Sequence, residues 1–156
     1  MLDIPASADW PVTGIAPLTT DSVNAALLVR GFDTTAPEGA GFILEIPQDM
    51  TNMTIDLRSR AHTAPSAVTN NVVPRVYARR VPDNAAVSAW SYVDMTAISF
   101  PTGVTTFQYD SQTIGLTTLG VTGGCVTQLE MTRNPADGSD DLVGDWDLLE
   151  IKTTLS

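Results

Sequence analysis

The sequence predicts an all-β fold: an antiparallel two-sheet sandwich of jelly-roll type, built from about eight strands. Short runs rich in Val, Ile, Thr and aromatics are separated by clusters of Gly, Pro, Asn and Asp, which is the texture of strands joined by turns. Several runs alternate apolar and polar residues with the two-residue period of a half-buried strand. No segment carries a helical period beyond a single turn near residues 117–120. With 156 residues, 43% apolar and 17% charged, the chain suits one packed domain that buries roughly 70% of the surface its unfolded form would expose.

Residues 1–20, with Pro5, Pro11 and Pro17, read as an extended N-terminal arm, and 21–156 as the β-sandwich domain. "AALLVRGF" (25–32) is the first strand, closed by the Gly/Pro-rich "DTTAPEGAG". "FILEIP" (42–47) places Phe42, Leu44 and Ile46 on one face and ends at Pro47. "MTIDLRSRA" (53–61) alternates most cleanly, with Met53, Ile55 and Leu57 inward and Thr54, Asp56, Arg58 and Arg60 outward. "NVVPRVYARRV" (71–81) follows; Pro74 cannot donate to a ladder, so an edge or a bulge is expected there. "PDN" (82–84) is a turn. Weaker strands cover 89–92 and 97–100, then "TTFQYD" (105–110), "TIGL" (113–116), "CVTQLEMTR" (125–133) and "WDLLEIKTTL" (146–155).

The net charge of −10 argues against a nucleic-acid partner, because phosphate contacts need a basic face. Cys125 is the one cysteine, so no intrachain disulfide can form. The opening "MLDIPASADWPV" has neither a basic segment nor a long apolar run, so no secretory signal is expected. No apolar run approaches the roughly 20 residues of a membrane-spanning helix, and no membrane association is expected.

Chemistry is sparse. His62, alone in the loop "AHTAPSA", reads as solvated surface, with no nucleophile beside it. Without a His pair or a Cys cluster no transition-metal site is expected, and Cys125, on the inward parity of its strand, reads as a buried thiol. No phosphate loop, cofactor motif or catalytic set is visible, so no enzyme activity is expected. The acidic stretch "NPADGSDDLVGDWD" offers Asp137, Asp140, Asp141 and Asp145 as hard oxygen ligands for calcium. Its spacing departs from the EF-hand loop, and hydrated carboxylates are the expectation for 137–147.

Two pairs of arginines, Arg58 with Arg60 and Arg75 with Arg79, share strand faces. They either pair with outward carboxylates such as Asp56, Glu130 and Glu150, or form a docking patch on an otherwise acidic protein. Strand parity sets Leu149, Ile151 and Leu155 toward the core and Trp146, Leu148, Glu150 and Lys152 away from it, unless a bulge intervenes. Trp146 is then expected beneath the N-terminal arm, which bears Trp10, or beneath a loop or another subunit. Stacking of a sugar on Trp146 is the competing use of an outward ring. The interface candidates are therefore Trp10, Arg58, Arg60, Arg75, Arg79 and Trp146.

The succession "NAALLVRGFDTTAPEGAGFILEIP", "MTIDLRSRA", "YARRVPDNAAVSAW", "FQYDSQTIGLTTLG", "CVTQLEMTRN" and "DDLVGDWDLLEIKTTLS" resembles a family of small β-sandwich virion structural proteins of tailed bacteriophages. The resemblance runs from about residue 9 to the end and carries no catalytic signature. It implies a protein of the virion, made in the bacterial host cytoplasm, whose partners are the major capsid protein or other virion proteins. A capsid decoration or cement protein, as a homo-oligomer and preferably a trimer, is the first expectation. A tail- or fibre-associated module that recognises host-surface glycans is the alternative. Small size, the lack of a fibre repeat and 6% aromatics favour the first.

Overall fold

Alternating β-branched and apolar residues make strands wherever turn residues do not interrupt them. The protein is described by a computed structural model covering residues 14–15, 18–20, 28–35, 38–66, 69–82 and 85–156. Its strands are β1 (Gly14–Ile15), β2 (Leu18–Thr20), β3 (Leu28–Phe32), β4 (Glu38–Ile46), β5 (Asn52–Ala61), β6 (Asn71–Val72), β7 (Pro74–Val81), β8 (Ser91–Asp94), β9 (Ile98–Ser99), β10 (Gln108–Gly115), β11 (Cys125–Arg133) and β12 (Trp146–Leu155). No helix occurs among the described residues, so none is long and apolar enough to cross a membrane.

Two five-stranded sheets form, in the orders β1-β4-β11-β7-β8 and β10-β5-β12-β3-β2, with β6 and β9 pairing separately. Setting aside the short strands, the sequential order of the remaining eight is 2-7-4-5 in the first sheet and 1-8-3-6 in the second. That is the jelly-roll arrangement, with the chain crossing repeatedly between layers. The pairings are antiparallel except β1 with β4, which is parallel. Within the stretch assigned to an N-terminal arm, β1 and β2 extend one edge of each sheet. The boundary at residues 20 and 21 adjoins residues outside those described.

The core lies between the layers. Met53, Ile55 and Leu57 of β5 are fully buried, as alternation predicts, and meet Phe42, Ile46, Val76, Ala78, Leu129 and Met131 of the first sheet. Cys125 is buried, its thiol donating to the Thr122 carbonyl oxygen at 3.0 Å. Across the turn before β11 the backbone packs closely: a Cβ on Gly123 would stand 2.5 Å from the Pro47 carbonyl oxygen.

Four expectations change. β4 begins at Glu38, so the last four residues of the Gly/Pro-rich stretch taken as a loop are strand. The two short runs at 105–110 and 113–116 are one edge strand, β10, whose alternating exposure follows from one face turning toward the core and the other toward solvent. β7 is internal, not an edge; Pro74 is tolerated because it opens the strand after the break at Val73. The largest change is in β12. Leu148 pairs with Ser59 and Glu150 with Arg58, leaving Leu149 as an extra residue. This bulge reverses the face on which preceding side chains lie, so Trp146 (0% exposed) and Leu148 point into the core together with Ile151. Trp146 packs on Phe32 with ring centroids 5.0 Å apart.

Candidate functional site

On the outer face of the first sheet, alternation in β7 sets Arg75, Tyr77 and Arg79 in one row. Antiparallel pairing with β8 puts Asp94 opposite Arg75 and Tyr92 opposite Tyr77. Arg75 grips Asp94 with two parallel bonds, Nε to Oδ1 at 2.6 Å and Nη2 to Oδ2 at 2.9 Å. Those bonds hold its proton affinity above the ordinary arginine value. The same guanidinium lies 4.2 Å from the Tyr92 ring centroid, and Tyr92 tilts against Tyr77 at 5.5 Å. Arg79 donates to Gln128 Oε1 at 2.6 Å and lies 4.6 Å over the Trp90 ring. Tyr92 is 55% exposed, and Ile43, beyond Gln128 in the same row, is 45% exposed. Two stacked cation–aromatic pairs therefore form a rigid, partly open patch.

Two other arginines are turned to scaffold work. The bulge in β12 points Asp147 away from the core, opposite Arg60. Asp147 is fully buried and accepts from Arg60 Nε and Nη2, both at 3.1 Å. His62 Nδ1 stands 3.0 Å from Asp147 Oδ1, and Arg60 lies 5.0 Å from the Phe107 ring. His62 is thus a half-buried partner of a buried carboxylate, not simply solvated surface. An imidazole oriented by a buried carboxylate is half of a nucleophilic relay. Among the described residues, however, no Ser, Thr or Cys is hydrogen-bonded to it. Arg60 (1% exposed) is covered within its own chain and is not an outward docking residue.

The acidic loop is organised about Arg133. Its guanidinium binds Asp140 through Nε and Nη2 and donates to the carbonyl oxygens of Leu142 and Gly144, each at 2.6 Å. Asp140 Oδ2 also accepts from the Val73 amide, and Asp141 Oδ1 from that of Asn71. Asp140, its side chain 1% exposed, is therefore not hydrated as expected. The Asp141 carboxyl is held below its ordinary 3.8, first by a hydrogen bond with Thr69 and then by the Asn71 amide. Among the described residues no group of three or more His, Cys, Asp or Glu side chains is gathered to hold a metal ion.

The outer face of the second sheet holds a shallow cleft of about 200 Å³ lined by Asp56, Leu57, Arg58, Tyr109, Glu150 and Lys152. A second cleft of similar volume opens at the sandwich edge between Met95–Ile98 and Asp110–Gln112. Desolvation there pushes the Asp110 carboxyl above its ordinary 3.8.

Of the sequence-stated interface residues, Arg75 and Arg79 lie together on the first sheet and Arg58 is exposed on the second. Arg60 and Trp146 are interior, and Trp10 lies outside the described residues. Burial removes Trp146 as a sugar platform. Glu130, expected outward, is 1% exposed at the centre of its sheet. Sequence reasoning missed Tyr77, Trp90, Tyr92 and Tyr109. Tyr77 shares the parity of Arg75 and Arg79 and could have been found; the others are placed by strand register.

No protein-family model matches the chain, and neither does a curated protein. Among solved structures it is similar to the enzymatically active domain of tailspike protein 4 of bacteriophage CBA120, at 10% sequence identity and a TM-score of 0.45. The likeness covers 90% of this chain and 17% of that one, so the chain spans a small part of that protein's length.

Proposed function

We propose that this protein is a non-enzymatic structural component of a tailed-phage virion, a decoration or cement protein that docks on the coat-protein lattice through the outer face of its first sheet. The observation that carries the reading is the patch of Arg75, Arg79, Tyr77, Trp90 and Tyr92, with two guanidiniums held over aromatic rings. Arg, Tyr and Trp dominate the energetic centres of protein interfaces, and side chains already locked by stacking lose little freedom on docking. The likeness of phrasing to small phage virion proteins supports the same reading, and a symmetric oligomer, a trimer by preference, matches the repeated sites of a lattice.

Purified protein mixed with phage heads lacking it, and separately with tails, tests this. Saturable binding to heads in many copies is expected, with Tyr92→Ala or Arg79→Ala weakening it by about 2 kcal/mol or more. Few-copy binding confined to tails would refute the lattice assignment.

A further inference from the structure

The second sheet turns a different chemistry outward. Register sets Tyr109 opposite Arg58 and Ser111 opposite Asp56; on the other side of β5, Arg58 faces Glu150 and Asp56 faces Lys152. Tyr109 is 66% exposed. The Asp56 carboxylate, two positions along the neighbouring strand from the residue opposite Tyr109, accepts from Ser111 Oγ at 2.6 Å. Tyr109 lines the cleft while remaining largely exposed.

Two carboxylates and two cations line the cleft with Tyr109. An anionic ligand would meet Asp56 and Glu150, and a cationic one Arg58 and Lys152, so the site favours neither. It offers an aromatic plane beside closely spaced hydrogen-bond donors and acceptors. Sugar hydroxyls both donate and accept, and a pyranose ring adds an apolar C–H face that an aromatic plane can cover. At about 200 Å³, the cleft is smaller than the roughly 300–1,000 Å³ of drug-sized sites. A single ring suits it.

We infer that this cleft binds one neutral pyranose unit of a glycan, stacked on Tyr109 and hydrogen-bonded by Asp56, Arg58, Glu150 and Lys152. The inference does not rest on the docking reading. The cleft is on the opposite layer, so a protein attached by its first sheet would present this face outward.

The test is a titration of the ¹⁵N-labelled full chain with methyl glucoside, galactoside, mannoside and N-acetylglucosaminide, with sialic acid as the anionic control. At least one neutral glycoside should shift amides at residues 56–58, 109–111 and 150–152. Tyr109→Ala should weaken that binding by roughly tenfold, the scale of one lost stacking contact. Tyr109→Phe, which keeps the ring and loses the hydroxyl, should retain most of it. Failure of every neutral glycoside, shifts that survive Tyr109→Ala, or binding of sialic acid alone would each overturn the inference. Head binding by the Tyr109 variants should be unchanged, which keeps the two proposals separable.

Discussion

At the scale of single residues, the energetic weight sits in charges removed from water. Asp147 is fully buried between Arg60 and His62, and Asp140 is buried against Arg133. Removing one partner of such a pair strands the other in a poorly solvating interior. Asp147→Asn should therefore destabilise the fold by about 3–5 kcal/mol, measured by chemical denaturation. Asp140→Asn should also destabilise it, because the same side chain secures the Val73 amide; exposed Asp145→Asn should change little. Trp146→Ala should cost about 3–5 kcal/mol through the cavity left beside Phe32. Neither carboxylate burial follows from residue type, since acidic residues ordinarily signal solvent. Asp140 is buried because Arg133, at the end of a central strand, takes acceptors from the following loop, whereas Asp147 is held by Arg60 and Trp146 is turned inward by the bulge.

At the scale of elements, alternation was a sound guide where register is regular. In β4, β5 and β11 the inward residues are those that the two-residue period selects. It failed in β12 because one bulge residue reverses parity, and a bulge is a property of the pairing with β5 rather than of local composition. The functional faces were half legible for the same reason. Arg75 and Arg79 share a strand and could be grouped, but Trp90 and Tyr92 join them only through the pairing of β7 with β8. Deletion of Leu149 isolates the point. It should restore a regular ladder, turn Trp146 and Leu148 out of the core and bring Asp147 in, giving a chain that fails to unfold cooperatively. An unchanged, cooperative melt would show that the bulge does not set the register.

At the scale of the whole molecule, strand pairings link distant parts of the chain, as in β5 with β12 and β3 with β12. Loop-closure entropy must be met before such contacts form, and slow folding for the chain's length is expected by stopped flow. The pH dependence combines two opposed signs. Asp56 is held below its ordinary 3.8, chiefly by the Ser111 hydroxyl, as is Asp141 by Thr69. Each favours the folded state while ionised. That contribution is present above the unfolded value and is lost as pH falls through the lower folded one. Asp110 runs the other way, because desolvation raises its value in the edge cleft. Its protonated form suits the fold, so its contribution is full below the unfolded value and is lost as pH rises through the folded one. Asp110→Asn mimics the neutral form and should raise the melting temperature near about pH 7, with the gain shrinking toward about pH 3. Asp141→Asn should show the mirror image, lowering stability near neutrality and converging on the parent in acid. Parallel melting curves for Asp110→Asn and its parent across that range would mean that the edge cleft does not desolvate the carboxyl.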